Sequence, residues 1–202
     1  MTAGRNNAEA LSQHWCTPPK YVNAVRQFFS DTVTLDPCSN SDSIVGADVE
    51  YSLPNTDGLA ISWDYPSVFV NPPYGSDRER GTTIRDWLRK CAETHSEHNS
   101  EVLALVPVAV NTQHWKLYVW KSATSVAFLY DTRLRFLVGG RDDGKGAPMA
   151  CAMVYWGPQY ERFEEIFLRF GAVVDVRHLH EKDVGLGESP SLFDVERSSR
   201  AV

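Results

Sequence analysis

Asn71, Pro72, Pro73 and Tyr74 stand directly after the apolar run Val68-Phe69-Val70 and directly before Gly75. An apolar run broken in this way reads as a strand that stops in a rigid polar turn. Two consecutive prolines fix φ and remove two backbone donors, so the Asn71 amide, the Pro72 carbonyl and the Tyr74 ring face outward in one set arrangement. Two acceptors beside an aromatic face suit a planar exocyclic amine. Each acceptor takes one of its N–H donors while its ring stacks on the tyrosine. The amino group of adenine has this shape. The competing reading of the same four residues is an ordinary Asn-Pro loop, because that dipeptide is a common turn former.

Other polar groups stand where elements start or stop. In Trp15-Cys16-Thr17-Pro18-Pro19 the threonine reads as a helix cap with proline at the first helical position. Tyr21, Val22, Val25, Phe28 and Phe29 then make one apolar helical face ending near Ser30. Val33-Thr34-Leu35 is a short β-branched run cut off by Asp36-Pro37-Cys38-Ser39-Asn40, and Ile44 to Tyr51 reads as a second short strand with Glu50 near its end. In an α/β sheet ligands bind beyond the carboxyl ends of strands, so Asp36 is placed to meet a cofactor's ammonium or ribose, or else to cap a turn. Glu50 is placed to meet ribose hydroxyls, or is a solvated edge residue. Asp57-Gly58 is explained equally by a turn.

Taken with Leu35-Asp36-Pro37-Cys38 and Trp15-Cys16-Thr17-Pro18, the Asn71 to Tyr74 motif resembles the amino-methyltransferases that use S-adenosylmethionine. More closely, the chain from Trp15 to Gly157 is similar to the small Dam-like DNA adenine-N6 methyltransferases of bacteriophages and prophages. The resemblance implies methyl transfer from S-adenosylmethionine to the N6 amine of a flipped adenine in DNA, with Asn71, Pro72, Pro73 and Tyr74 as the catalytic turn. It places the cofactor against Trp15, Thr17, Pro18, Asp36, Pro37, Cys38, Glu50 and Asp57. Thr17-Pro18 would line its methionine end, and Asp57 would receive the adenine amino group. Asp36 to Asn40 contains no glycine, where similar enzymes carry a glycine-rich loop. N4-cytosine methylation poses the same chemical problem, but similar cytosine enzymes more often carry serine before Pro-Pro. A catalytically silent DNA-binding or regulatory module with the same fold is the alternative of a different class.

The remaining elements must hold that turn in place. Ile84, Trp87, Leu88, Cys91 and His95 form an amphipathic stripe, so Cys91 is packing rather than a nucleophile. Val102 to Val108 is the continuous apolar run of a central strand buried on both faces. His114 to Lys121 reads as helix, Ser125 to Tyr130 and Cys151 to Trp156 as strands. Tyr160 to Phe170 reads as a helix stopped by Gly171, and Val173 to Leu179 as a further strand. Strands alternating with helices and closing in a hairpin define one doubly wound α/β domain. Its sheet is mostly parallel with an antiparallel edge hairpin, the Rossmann-like fold of the similar family. Residues 14–182 would make up that domain, after a mobile lead-in (1–13) and before a disordered tail (183–202).

A formal net charge of −6 over 202 residues argues against a protein coated in positive charge, so any DNA contact must be local. Arg78 and Arg80 in the loop Gly75 to Gly81, expected to be mobile, and Arg133, Arg135, Arg141 and Lys145 farther on are the candidate DNA contacts. Asp77, Glu79, Asp142 and Asp143 accompany them, so solvated surface charge is the competing reading. The cysteines Cys16, Cys38, Cys91 and Cys151 occur singly, which fits a reduced cytoplasm. The longest apolar stretch falls far short of the ~20 residues that span a bilayer. The histidines show no metal-ligand spacing, so no metal is expected; His178-x-His180 reads as a surface pair on a strand.

Overall fold

The computed structural model describes residues 15–131, 133–139, 141–142, 147 and 149–181. The expected lead-in and tail, and Lys145, lie outside the described residues. Along the chain come α1 (Pro19–Phe28), β1 (Leu35–Asp36), β2 (Val49–Glu50), β3 (Ser67–Val70), α2 (Ile84–His98) and β4 (Glu101–Pro107). Then follow α3 (Gln113–Trp115), β5 (Ser125–Leu129), β6 (Leu137–Val138), β7 (Arg141–Asp142), β8 (Cys151–Trp156), α4 (Tyr160–Phe167) and β9 (Gly171–Asp175).

Seven strands form one sheet in the order β2-β1-β3-β4-β8-β5-β9, while β6 and β7 pair separately as a hairpin. β2, β1, β3 and β4 are parallel neighbours. β8 inserts antiparallel between β4 and β5, and β9 lies antiparallel on the outer side of β5. The sheet is therefore mostly parallel, as the alternation of elements predicts. Alternate residues of each central strand enter opposite cores. Phe69, Leu103 and Leu105 pack with Tyr21, Val25 and Phe28 of α1 and Phe163 of α4. Val68, Val70, Val102 and Val106 pack with Trp87 and Leu88 of α2 and with Trp115. This two-sided burial is why β3 and β4 carry no polar alternation.

Several local expectations are corrected. Thr17 does not cap α1: Pro18 occupies the cap position and its carbonyl accepts the N–H groups of Tyr21 and Val22 (3.0 and 3.1 Å). The stretch Ile44 to Tyr51 yields only the two residues of β2, because the carbonyls of Ile44 and Val45 are taken by the Arg26 guanidinium at 3.0 and 2.7 Å. After one turn of α3 the chain widens into a π-helix, Lys116–Trp120. Gly171 does not stop a helix but opens β9, where a side chain would collide with the Phe128 carbonyl. His178 lies in a 3-10 turn, Arg177–Leu179, rather than on a strand, and the His180 ring bonds the Ala123 carbonyl at 2.7 Å. Among the described residues no helix is long and apolar enough to cross a membrane.

Candidate active site

Because β1, β2, β3 and β4 are parallel, the residues that end them share one edge of the sheet. Leu35 pairs with Val68, so the turn after Asp36 and the turn at Asn71 are immediate neighbours. The Asn71 amide is oriented by a long-range contact: its Nδ2 donates to the Trp15 carbonyl at 3.0 Å, leaving Oδ1 as the acceptor. Pro72 is buried, and with Pro73 it carries no N–H that could extend the β3 ladder.

Tyr74 is anchored from below. Its hydroxyl donates to the Leu105 carbonyl of β4 at 3.2 Å and lies 3.8 Å from the Cys151 sulfur. Burial pushes the Tyr74 phenol well above its ordinary range. Burial likewise pushes the Cys151 thiol up to about 11. Trp15 and Phe136 stack on each other, centroids 4.9 Å apart and 5° from parallel, and both meet the Tyr74 ring nearly at right angles. Cys16 pairs with Leu137, which ties the β6–β7 hairpin to the segment that orients Asn71. Sequence reasoning missed Phe136; an aromatic alternating with Arg133 and Arg135 was its only signal.

Asp36 is 4% exposed, with Oδ1 accepting the Cys38 backbone N–H at 3.1 Å. Burial pushes its carboxyl up to about 7, opposed by that N–H and reinforced by the charge of Glu50. Burial also drives the Cys38 thiol well up, the Asn71 backbone N–H partly opposing it. Glu50 itself is exposed at the end of β2. Thr17 is 2% exposed and Pro18 buried, both beside Trp15.

A cavity of about 300 Å³ opens between the β1 turn and the loop ahead of β3, with Pro37, Cys38, Ser39, Asp57, Pro73 and Arg80 among its walls. Its size is that of a small-molecule site. Ser39 lines this wall, and its Oγ is buried without a hydrogen-bond partner. Ser39 too was missed, since a lone serine after Pro-Cys carries no pattern. Asp57 turns the loop by accepting the Leu59 N–H at 3.0 Å, and Gly58 is required by close approach: a Cβ there would lie 1.9 Å from the Pro37 carbonyl oxygen. The Trp63 indole donates to the Gly58 carbonyl at 2.8 Å and Lys90 reaches the Leu59 carbonyl at 3.1 Å, which locks the wall to α2. Gly58→Ala must push this loop away from β1. The expected cost is about 1–3 kcal/mol, read as a fall of several degrees in Tm; an unchanged Tm shows that the wall yields freely.

The charged candidates divide. Arg78, Arg133, Arg135 and Arg141 are exposed, with Arg135 3.5 Å from Asp142. Arg133 and Arg135 share a cleft with Lys20 and Asp131, which are themselves paired at 2.6 Å. Arg80 instead turns inward, and the loop expected to be mobile is organised around Asp77, which binds the N–H groups of Glu79 and Arg80. Among the described residues no group of three or more His, Cys, Asp or Glu side chains is placed to hold a metal ion.

Polar turns gathered at the carboxyl ends of a mostly parallel sheet, covered on both faces by helices, define a Rossmann-like α/β protein. The chain belongs to the family described as DNA N-6-adenine-methyltransferase (Dam), whose model matches residues 4–184. It is thus an adenine-specific DNA methyltransferase. A comparison with curated proteins returned no match.

Proposed function

We propose that the chain methylates the N6 amine of an adenine swung out of the DNA stack, with S-adenosylmethionine as methyl donor. The observation that carries this reading is the Asn71 amide, held by the Trp15 carbonyl at the end of β3, next to the β1 turn of the buried Asp36 and two residues ahead of Pro73, which lines the cavity. The donor, when bound, supplies a methyl group on a positively charged sulfur. The unpartnered Ser39 hydroxyl and the buried Asp36 carboxyl at the end of β1 support a polar, cationic ligand of this kind. Asp36, Pro37, Cys38, Ser39 and Asp57 would hold it, with Trp15, Thr17 and Pro18 closing its far end and Glu50 at the rim.

The adenine amine is a weak nucleophile because its lone pair is delocalised into the ring. Asn71 Oδ1 and the Pro72 carbonyl would accept its two N–H groups, which favours the pyramidal nitrogen and stabilises positive charge as it develops there. Tyr74, fixed by Leu105 and braced by Trp15 and Phe136, would offer the surface on which the base lies. The raised pKa of Tyr74 and Cys151 leaves both neutral, so the residues act by alignment and exclusion of water. Arg78, Arg133, Arg135, Arg141 and Lys145 would contact the DNA backbone or bases from two sides of the turn.

Incubation with methyl-labelled S-adenosylmethionine and DNA, followed by digestion to nucleosides, is expected to place the label in N6-methyladenine. Label confined to N4-methylcytosine would overturn the choice of base, and an unlabelled digest would leave only a DNA-binding module.

A further inference from the structure

Arg80 does not sit as a surface cation sits. Its Nη1 lies 2.8 Å from Asp57 Oδ1 and its Nε 2.8 Å from Asp77 Oδ2, and its side chain is 21% exposed. The two carboxylates come from different segments, one from the cavity wall and one from the loop that follows Tyr74. That loop is shaped to deliver the guanidinium. Asp77 and Thr82 exchange two backbone hydrogen bonds of 2.8 and 3.1 Å, and Asp77 Oδ1 accepts the Arg80 N–H at 3.0 Å. The turn so formed points Arg80 back across the cavity mouth, where it is part of the lining.

Two consequences follow from the charges. An arginine already flanked by two carboxylates has a negative local sum, so an approaching phosphate is repelled by Asp57 and Asp77 as much as it is drawn to Arg80. Asp57 Oδ1 is filled by the Leu59 N–H and by Arg80, which fixes the carboxylate plane and turns Oδ2 into the oxygen left for a ligand. The guanidinium meets the two carboxylates through two separate nitrogens, Nη1 and Nε, a fixed planar spacing that the single ammonium nitrogen of lysine does not reproduce.

We propose that Arg80 is a positioning residue of the cofactor pocket: it clasps the DNA-side loop 75–82 onto Asp57, so that filling the cavity and setting the loop beside Tyr74 are one event. The proposal rests on the reading of Asp57 as a cofactor contact. It makes cofactor and DNA binding mutually reinforcing, with Arg80 as the link.

Calorimetric titration with S-adenosylmethionine, and DNA binding as a function of salt with and without the unreactive S-adenosylhomocysteine, test it on the full chain. Arg80→Ala and Asp77→Asn are each expected to raise the cofactor dissociation constant about fivefold or more and to abolish the gain in DNA affinity that the cofactor gives. Arg80→Lys, which keeps the charge, is expected to restore neither. The slope of log DNA affinity against log salt should stay as in the unaltered protein. Unchanged cofactor affinity together with a slope shallower by about 0.9 would instead make Arg80 a phosphate contact and overturn the clasp. Arg80→Lys behaving as the unaltered protein would overturn it too. Failure of the unaltered protein to bind S-adenosylmethionine would sink the proposed function itself, whereas binding that is indifferent to Arg80 sinks the clasp alone.

Discussion

Asn71→Ala is expected to reduce the single-turnover rate of methyl transfer by about 100-fold or more while leaving cofactor affinity nearly unchanged. The side chain is held from Nδ2 to the Trp15 carbonyl at 3.0 Å, which leaves its oxygen as the acceptor that the proposed mechanism assigns to the amine. In the proposed mechanism, removing it would take away the acceptor that stabilises charge on the attacking nitrogen, and the Pro72 carbonyl alone would align the amine. Asn71→Asp is a sharper variant. An ionised carboxylate would set an oxygen where Nδ2 now faces the Trp15 carbonyl, so two acceptors would oppose each other. Its residual activity should therefore rise as the pH is lowered toward protonation of the new carboxyl. Rapid-quench measurement of labelled DNA over a pH series separates the two variants. Full activity in Asn71→Ala would remove the residue from the mechanism.

The second large effect concerns Asp36. Its carboxyl is pushed up to about 7, chiefly by burial, with the Cys38 backbone N–H and thiol pulling it down and the charge of Glu50 from β2 pushing it further up. Without ligand, the folded protein holds this proton to a higher pH than the unfolded chain does. The stability contributed by Asp36 is therefore present below the ordinary carboxylate range, near pH 4, and is lost as pH rises toward 7. A cationic ligand beside Asp36 selects the ionised form. Affinity for S-adenosylmethionine should thus fall about tenfold for each pH unit between about 7 and 5.5, and binding there should release a proton. Titration in buffers of different ionisation enthalpy reads that release directly. Asp36→Asn should bind weakly at every pH in this window and abolish the proton release. Affinity independent of pH in the unaltered protein would show that the cofactor's charge lies elsewhere.

How much of this was legible beforehand depends on the range of the interaction involved. The Asn71 to Tyr74 turn, the amphipathic helix over Ile84 to His95 and the buried strand over Val102 to Val108 are written in local patterns. Proline geometry and the period of the apolar residues act within a few positions, so the sequence by itself determined these elements, the mostly parallel α/β class and the place of the Asn71 turn at a strand end. Local patterns also mislead where a distant group intervenes. Arg26 captures the carbonyls that would have continued β2, and Pro18 displaces Thr17 from the cap.

Only the tertiary structure decided what each polar side chain meets. Periodicity states which face of an element is buried, but not which carboxylate an arginine will find after the chain has folded back on itself. Arg78 and Arg80 stand two positions apart in one polar loop, yet one is exposed and the other is drawn between Asp57 and Asp77. Phe136 stacks on Trp15 because Leu137 pairs with Cys16 across the fold, a contact with no trace in either segment. Ser39 acquires meaning only as a buried hydroxyl left without a partner in a cavity wall, a property of the space enclosed by β1 and the Asp57 loop. Those side chains are placed by packing between distant segments, whose energetics depend on shape and charge in three dimensions, and so the strand-end turn was readable from the chain while the pocket around it was not.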